Sequence, residues 1–269
     1  MRVNTNMNAL VAHNAMSKNT ALAGNSMEKL SSGLRITKAG DDAAGLAISE
    51  KMRSQIRGLD QANRNVQDGI SLIQTAEGGM EEITNILQRM RELTVQGAND
   101  TNDVKEREKI DTELEQLSSE ITRIAESTAF NGKNLLNTAG TITLQVGANG
   151  GQVISVALEK LDSTTLTVNN LSVTTASAAN DSTAAIDTAL ETINTKRATF
   201  GAQQNRLEYT QNNLTTSSEN LTAAESRIRD VDVAKEMVNL SKLNILQQAS
   251  QAMISQANQQ PQGVLQLLR

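Results

Sequence analysis

Several residue types are absent or rare in this chain of 269 residues. It has no cysteine and no tryptophan, one proline, one histidine, two phenylalanines and one tyrosine. The lack of cysteine excludes a disulfide framework, although it does not by itself indicate the compartment. A compact core rich in aromatic side chains is excluded too. Leucine, isoleucine, valine, methionine and alanine must therefore supply the buried surface, and these residues suit helix packing.

The single histidine, His13, limits the catalytic sites that this chain can form. A His-Glu-x-x-His motif needs two histidines, and a zinc cluster needs several histidines or cysteines, so this chain can form neither. His13 lies in a polar helical stretch, which favours a solvated histidine over a metal ligand or the base of a Ser-His-Asp triad. Gly78-Gly79 lies inside a helical pattern and does not follow a strand, so it is not a phosphate-binding loop. Acidic and basic residues alternate between 105 and 115, as on a solvated helix face. We therefore predict no enzymatic activity, no cofactor and no metal.

Charge and hydropathy exclude two further classes of protein. The net charge of −5 argues against nucleic-acid binding, which relies on cationic contacts to phosphates. No apolar run approaches the roughly 20 residues that span a bilayer, which excludes membrane insertion. The N-terminus is too polar for the apolar core of a cleaved signal peptide. The sequence thus predicts a protein that is cytosolic or exported by an unusual route.

Apolar residues at a spacing of seven are the most informative pattern in the chain. Such spacing is typical of the packing seam of a coiled coil. One series consists of Met52, Leu59, Val66, Ile73, Met80 and Leu87, and a second of Ile186, Ile193, Phe200, Leu207, Leu214, Leu221 and Ile228. A companion position three residues after the first series is occupied by Ala62, Ala76, Ile83 and Met90, with Gly69 as a gap. A shorter segment between the two series has Ile110, Leu114, Leu117, Ile121 and Ile124 at alternating spacings of four and three.

These series predict a mainly α fold with an elongated antiparallel, coiled-coil-like helical rod. Residues 44–98 would form one helix about 80 Å long, and residues 182–230 a partner of similar length. Because the two series are far apart in sequence, the chain must run out and return. The seam is predicted to bury Leu59, Val66, Ile73, Met80 and Leu87 against Ile193, Phe200, Leu207, Leu214 and Leu221.

The segment before the first long helix has the residues of a helix–loop–helix connection. Gly33 can end the N-terminal helix as a left-handed C-cap, and either Asp41 or Asp42 can cap the next helix. In the middle of the chain, residues 141–146 alternate polar and apolar side chains, and residues 153–158 have Ile154, Val156 and Leu158 at every second position. With the turn signal Asn149-Gly150-Gly151 between them, the two segments predict a β-hairpin. We also predict strand-like structure in residues 164–175 and an exposed linker in residues 174–184, with the Ser and Thr side chains from 163 to 183 facing solvent.

Both ends of the chain have thin apolar stripes on helices that are otherwise rich in Asn, Gln and Ser. Neither stripe alone can bury enough surface to offset the entropy of ordering the helix. We therefore expect the ends to pack against each other or against neighbouring copies, and to be disordered in the free monomer. The residues predicted to form these assembly helices are Met7, Leu10, Leu240, Leu243, Leu246 and Met253.

Three regions follow from these patterns. Residues 1–40 with 235–269 are predicted to form a terminal helical domain. Residues 41–140 with 182–234 would form the helical rod, and residues 141–181 the hairpin and linker.

The sequence resembles the bacterial flagellins at both ends. Residues 29–49, "KLSSGLRITKAGDDAAGLAIS", are similar to their N-terminal signature. Residues 220–269, "NLTAAESRIRDVDVAKEMVNLSKLNILQQASQAMISQANQQPQGVLQLLR", are similar to their C-terminal signature. Residues 71–100 and the segment "FNGKNLL" (130–136) match in order between them. The resemblance implies an extracellular subunit of the flagellar filament, used in swimming motility.

The same resemblance implies partners. They are further copies of the chain, the flagellar type III export apparatus with an export chaperone, and the junction and cap proteins. Flagellins often insert large variable domains in the middle of the chain, and this sequence has only a reduced segment there. One alternative is a hook–filament junction protein, which shares the helical ends and the export route. A flagellin with an embedded protease is a second alternative, but it needs a metal-binding insert, and residues 137–185 contain no histidine.

The resemblance also implies a contact with the Toll-like receptor by which hosts sense flagellin. The corresponding residues here are Arg89, Leu93, Gln96 and Glu113. At about 100° per residue, Leu93 falls with Arg89 and Gln96 and away from Leu87. Leu93 is therefore predicted to face away from its own core. The same face would then contact a neighbouring subunit in the filament and, on the monomer, the receptor.

Overall fold

The computed structural model describes residues 6–267, with side chains up to residue 260. The first five residues and the last two of the predicted terminal domain lie outside this range. The helices are α1 (Met7–Ser32), α2 (Ala43–Gly97), α3 (Val104–Ser127), α4 (Ala176–Arg229) and α5 (Val233–Leu267). The strands form two antiparallel pairs, β1 (Ala129–Phe130) with β2 (Lys133–Asn134), and β3 (Gly140–Gln145) with β4 (Val153–Leu158). The prediction of a mainly α fold with a small hairpin is confirmed.

The chain divides into two compact units. The terminal unit contains Met1–Ser54 and Asn220–Arg269, and the central unit contains Gln55–Glu219. Both divisions fall inside the long helices α2 and α4, and not at residues 40 and 235. The division into three regions stays a prediction.

In the central unit, α2 and α4 pack side by side in opposite directions. Polar contacts link the two helices at several points along their length. From one contact to the next, the residue number rises on α2 and falls on α4, as expected for an antiparallel pair. The linked pairs are Asp60 with Ser218 (3.1 Å), Glu77 with Arg197 (3.7 Å), Arg91 with Asp187 (2.7 Å) and Thr94 with Thr183 (3.0 Å). Such side contacts fix the register of the two helices, since a shift of one turn would separate every pair.

Apolar side chains of the seven-residue series lie between these polar contacts. Eight of the ten predicted seam residues are buried: Val66, Ile73, Met80, Leu87, Ile193, Phe200, Leu207 and Leu214. Leu59 is half-buried and packs against the same core, while Leu221, in the terminal unit, is half-buried. The companion residues Ala62, Ala76, Ile83 and Met90 are buried as well.

The hairpin β3–β4 fills the gap that the sequence leaves at Gly69. A Cβ atom at Gly69 would collide with Cδ1 of Leu144 on β3 and would lie 3.5 Å from Cδ1 of Leu207 on α4. Close by, a Cβ at Gly58 would lie 2.8 Å from the Cβ of Ala148 in the hairpin turn. Two glycines of α2 therefore let the hairpin approach the helix closely.

The neighbouring glycines 78 and 79 in α2 differ in how closely other atoms approach them. A Cβ at Gly79 would lie 2.7 Å from Oγ1 of Thr128 and 2.8 Å from Cδ1 of Leu136, whereas a Cβ at Gly78 would have no neighbour within 4 Å. Thr128 has little freedom to move, since its hydroxyl donates a hydrogen bond to the carbonyl oxygen of Ile124 at 2.8 Å. Gly79 is thus required by packing, and Gly78 is not.

We expect Gly79→Ala to lower the free energy of unfolding by about 1–3 kcal/mol through overpacking. Gly78→Ala is the matched control, and it should raise the same quantity by up to about 1 kcal/mol, because alanine is the better helix former. Urea titration of the two monomers, followed by circular dichroism, measures both effects. Equal midpoints for the two variants would contradict this assignment.

The connection between α1 and α2 has the caps that the sequence predicts. Gly33 follows α1 with a φ of 71°, and Oδ1 of Asp42 accepts a hydrogen bond from the amide of Gly45 at 2.8 Å. Asp41 stabilises the loop itself, because its carboxylate accepts hydrogen bonds from the amides of Lys38 and Thr37 and from the hydroxyl of Thr37. These hydrogen bonds lower the pKa of Asp41, and the bond from the Lys38 amide is the largest cause.

Three predictions for the middle of the chain are wrong. Residues 164–175 contain no strand, because Leu166, Val168 and Val173 enter the core from a chain of turns. Residues 176–184 are not a linker but the first turns of α4, where alanine favours the helix.

Ser163 and Ser182 are buried and not exposed. The hydroxyl of Ser163 forms a hydrogen bond with that of Thr122, and the hydroxyl of Ser182 forms hydrogen bonds with the backbone of Ser172.

Candidate assembly surfaces

Within the terminal unit, α1 and α5 pack together in opposite directions. The side-chain amide of Asn6 donates to the carbonyl oxygen of Ala257 at 2.7 Å, and that of Gln247 donates to Oγ1 of Thr20 at 3.2 Å. Asn6 also caps α1, because its side-chain oxygen accepts the amide of Ala9. Only Ala23 and Ser26 are buried among the described residues of α1. The contact between the helices is therefore narrow.

Most of the apolar stripes stay uncovered by this pairing. Of the predicted assembly residues, Met7, Leu10, Leu246 and Met253 are 55%, 49%, 40% and 64% exposed. Leu240 and Leu243 are half-buried. The two helices expose several further apolar side chains: Val11, Leu22, Met27, Val233, Met237, Val238 and Ile245. Extended apolar surface of this kind marks an interaction site in soluble proteins.

A second candidate surface, in the central unit, consists of Arg89 and Gln96 on α2 and Glu113 on α3. All three are exposed. The guanidinium of Arg89 contacts the carboxylate of Glu113 at 3.0 Å and that of Glu92 at 3.2 Å. These bonds, first of all the one to Glu113, raise the pKa of Arg89 above the ordinary value of an arginine. The charge pair ties α2 to α3.

The prediction that Leu93 faces away from its own core is wrong. Leu93 is 2% exposed and belongs to the same core as Ile110 and Leu114 of α3. On the helix, Leu93 lies about 60° from the buried Met90. Because α3 packs on that side of α2 while α4 packs on the other, the buried arc of α2 is wider than the single seam seen in the sequence. Arg89, Gln96 and Glu113 thus lie at the surface above Leu93.

Comparison with known proteins identifies the family of this architecture. The model of the bacterial flagellin N-terminal helical region matches residues 3–141, and that of the bacterial flagellin C-terminal helical region matches residues 183–268. The chain is 56% identical to flagellin of Halalkalibacterium halodurans and 50% identical to flagellin of Bacillus subtilis, with all of both chains covered in each case. The chain belongs to the bacterial flagellins.

Solved structures agree with this assignment. The crystal structure of Bacillus cereus flagellin is 37% identical, covers 60% of this flagellin and 94% of its own chain, and has a TM-score of 0.52. A putative flagellar hook-associated protein from Vibrio parahaemolyticus has a TM-score of 0.60 at 12% identity, over 71% of this chain and all of its own. At that identity the likeness concerns the fold alone, so it gives no support to a junction protein.

As a flagellin, this protein is a structural subunit that polymerises into the extracellular flagellar filament, and it is not an enzyme. Of the helices within residues 6–267, none combines the length and apolar character that a bilayer span requires. Among the same residues, no three potential metal-ligating side chains lie together.

Proposed function

We propose that the apolar stripes of α1 and α5 are the surfaces through which copies of this flagellin polymerise. The supporting observation is the exposure of Met7, Leu10, Leu246 and Met253 although the two helices already pack together. Burial of apolar surface is the main driving force of protein association, and a second copy with the same stripes offers matching surface. In the free monomer the two ends would be disordered and would become helical on assembly.

The proposal includes the route to the filament. The chain would be exported unfolded through the type III apparatus. Inside the cell, an export chaperone would cover the apolar residues of α5 and prevent early polymerisation. Outside, the junction proteins at the base and the cap proteins at the tip would contact the same terminal regions.

Seeded polymerisation of the purified full-length chain tests this function. Short filament fragments are mixed with excess monomer, and growth is measured by sedimentation and electron microscopy. We expect long filaments, and we expect limited proteolysis to trim residues 1 to about 40 and from about 235 in the monomer but not in the polymer. A monomer that never extends seeds, or whose ends resist protease, would refute the proposal.

We further propose that Arg89, Gln96 and Glu113 form the surface that a host Toll-like receptor recognises on the monomer. Two observations support this: the three side chains are exposed, and the Arg89–Glu113 pair presents a guanidinium at the surface. Arginine can form forked hydrogen bonds to a partner and is common among interface hot spots. Leu93 would act from beneath, by supporting the backbone that carries Arg89 and Gln96.

Arg89→Ala should weaken receptor activation by the monomer about tenfold or more, as for a hot-spot residue. The matched control is Arg123→Ala on α3, which removes an exposed arginine paired with Glu120 at 2.5 Å. A reporter cell line with the receptor measures potency, and circular dichroism checks that both variants fold. If Arg89→Ala and Arg123→Ala signal with equal potency, this surface is not the receptor site.

A further inference from the structure

In the terminal unit, the two connections between helices form a small antiparallel pairing. The N-terminal connection (residues 33–42) joins α1 to α2, and the C-terminal connection (residues 230–232) joins α4 to α5. Leu34 and Asp230 form an isolated β-bridge. On one side of the bridge, the amide of Arg35 donates to the carbonyl oxygen of Arg229 at 2.7 Å. On the other, the amide of Val231 donates to the carbonyl oxygen of Gly33 at 3.0 Å.

These bonds cap helix ends reciprocally. The last four carbonyl groups of an α-helix have no amide donor within the helix, so their hydrogen-bond donors must come from elsewhere. At the end of α4, the amide and the guanidinium of Arg35 supply two such donors, the guanidinium at 2.5 Å from the carbonyl oxygen of Ile228. Its positive charge also suits the negative end of the helix dipole. Just after α1, the carbonyl of Gly33 is satisfied by the other connection.

Two ion pairs, each with one buried partner on α4 and a more exposed partner on α2, hold the end of α4 beside the first turns of α2. The side chain of Arg229, only 11% exposed, contacts Glu50 at 2.5 Å. One turn earlier on α4, Glu225, 12% exposed, contacts Arg53 at 2.9 Å. Arg229 thus binds Glu50 through its side chain and Arg35 through its backbone. The N-terminal connection is therefore attached to a part of α4 that is itself held by two charge pairs.

We propose that Arg35 couples the ordering of the two ends of the chain. Each connection donates a backbone hydrogen bond to the other side of the bridge: Arg35 to the last carbonyl of α4, and Val231 to the carbonyl of Gly33 just after α1. As a result, α1 and α5 become ordered together, as one cooperative unit, and neither end can dock alone in a lasting way. Arg35 is a positioning residue in this scheme. The proposal rests on the polymerisation function above, and it adds that the two ends enter the filament as a pair.

Hydrogen exchange in mixed filaments tests the coupling. Arg35→Ala protein labelled with ¹⁵N is copolymerised with a large excess of unlabelled wild type, so that the lattice is set by wild-type neighbours. Mass spectrometry then follows only the labelled peptides. We expect exchange to be about tenfold faster at residues 30–37 and, across the bridge, at residues 229–240. If Arg35 stabilised only the N-terminal connection, exchange would become faster at residues 30–37 alone.

Two further variants complete the design. Lys38→Ala is the matched control, because it removes a neighbouring basic side chain whose ion pair, with Glu28 at 2.6 Å, is exposed. It should leave both segments at the wild-type rate. Arg35→Lys keeps the positive charge but loses the planar fork, and it should give an intermediate rate at both segments.

The outcomes separate this proposal from the function itself. If residues 229–240 of labelled Arg35→Ala or Arg35→Lys exchange at the same rate as in the wild type, the coupling is overturned, while the proposed polymerisation function still stands. Exclusion of both arginine variants from filaments that accept Lys38→Ala would support the coupling. Failure of the wild-type chain to polymerise would overturn the function and, with it, the coupling that rests on it, whereas an unchanged exchange rate at residues 229–240 in the arginine variants overturns the coupling alone.

Discussion

Leu207→Ala is expected to lower the free energy of unfolding of this flagellin by about 2–5 kcal/mol, the range for a fully buried leucine. Leu207 is completely buried in the seam between α2 and α4, beside Gly69 and the hairpin residue Leu144. Its removal would leave a cavity that the two long helices cannot close, since their polar contacts hold the register. Urea titration of the monomer by circular dichroism measures the loss.

Tyr209 provides the matched control for this experiment. It lies two residues further along α4 and is 77% exposed. Tyr209→Ala should therefore change the free energy of unfolding by no more than about 0.5 kcal/mol, as is usual for surface substitutions. A Leu207→Ala monomer that unfolds at the wild-type urea concentration would show that Leu207 is not part of the stabilising seam.

Val238→Asp is expected to raise the monomer concentration needed for polymerisation at least about 100-fold, which corresponds to nearly 3 kcal/mol per added subunit. Val238 lies on α5 and is 70% exposed in the single chain. An aspartate there costs little in the monomer, because water hydrates it. In a polymer that covers this position, the same carboxylate would be buried without a partner. Sedimentation at increasing protein concentration gives the threshold.

The control for this prediction is a substitution at the same position. Val238→Ala removes two methyl groups but introduces no charge, so its threshold should rise far less than that of Val238→Asp. Unfolding of the central unit should be the same for both variants. Polymerisation of Val238→Asp at the wild-type threshold would mean that this side of α5 faces water in the filament.

The long helices could be predicted from the sequence because their signal is repeated many times. Seven-residue spacing placed α2 at residues 44–98, and the structure has it at Ala43–Gly97. The hairpin was predictable for the same kind of reason, since Ile154, Val156 and Leu158 lie at every second position of β4 and are buried. In both cases a single periodic face decides the structure.

Where burial comes from more than one neighbour, the sequence was less informative. Leu93 lies off the seam, and its burial depends on α3, whose position the α2 pattern does not contain. Val168 and Val173 have the residue type of a strand but enter the core from turns held by hydrogen bonds to Asp162 and Asp111. The sequence also did not predict the pairing of the two connections, because a bridge with one residue on each side is too short to show an alternation of apolar and polar residues.

The close fit of the hairpin against α2 limits where this chain could accept extra sequence. Leu144 occupies the space at Gly69, and Ala148 lies against Gly58, so lengthening β3 or its turn would pull apart contacts with a helix. Asn169 and Asn170, by contrast, are exposed and lie between buried residues that stay anchored on either side. A natural insertion, or a peptide added for display on the filament surface, is best tolerated between these two asparagines.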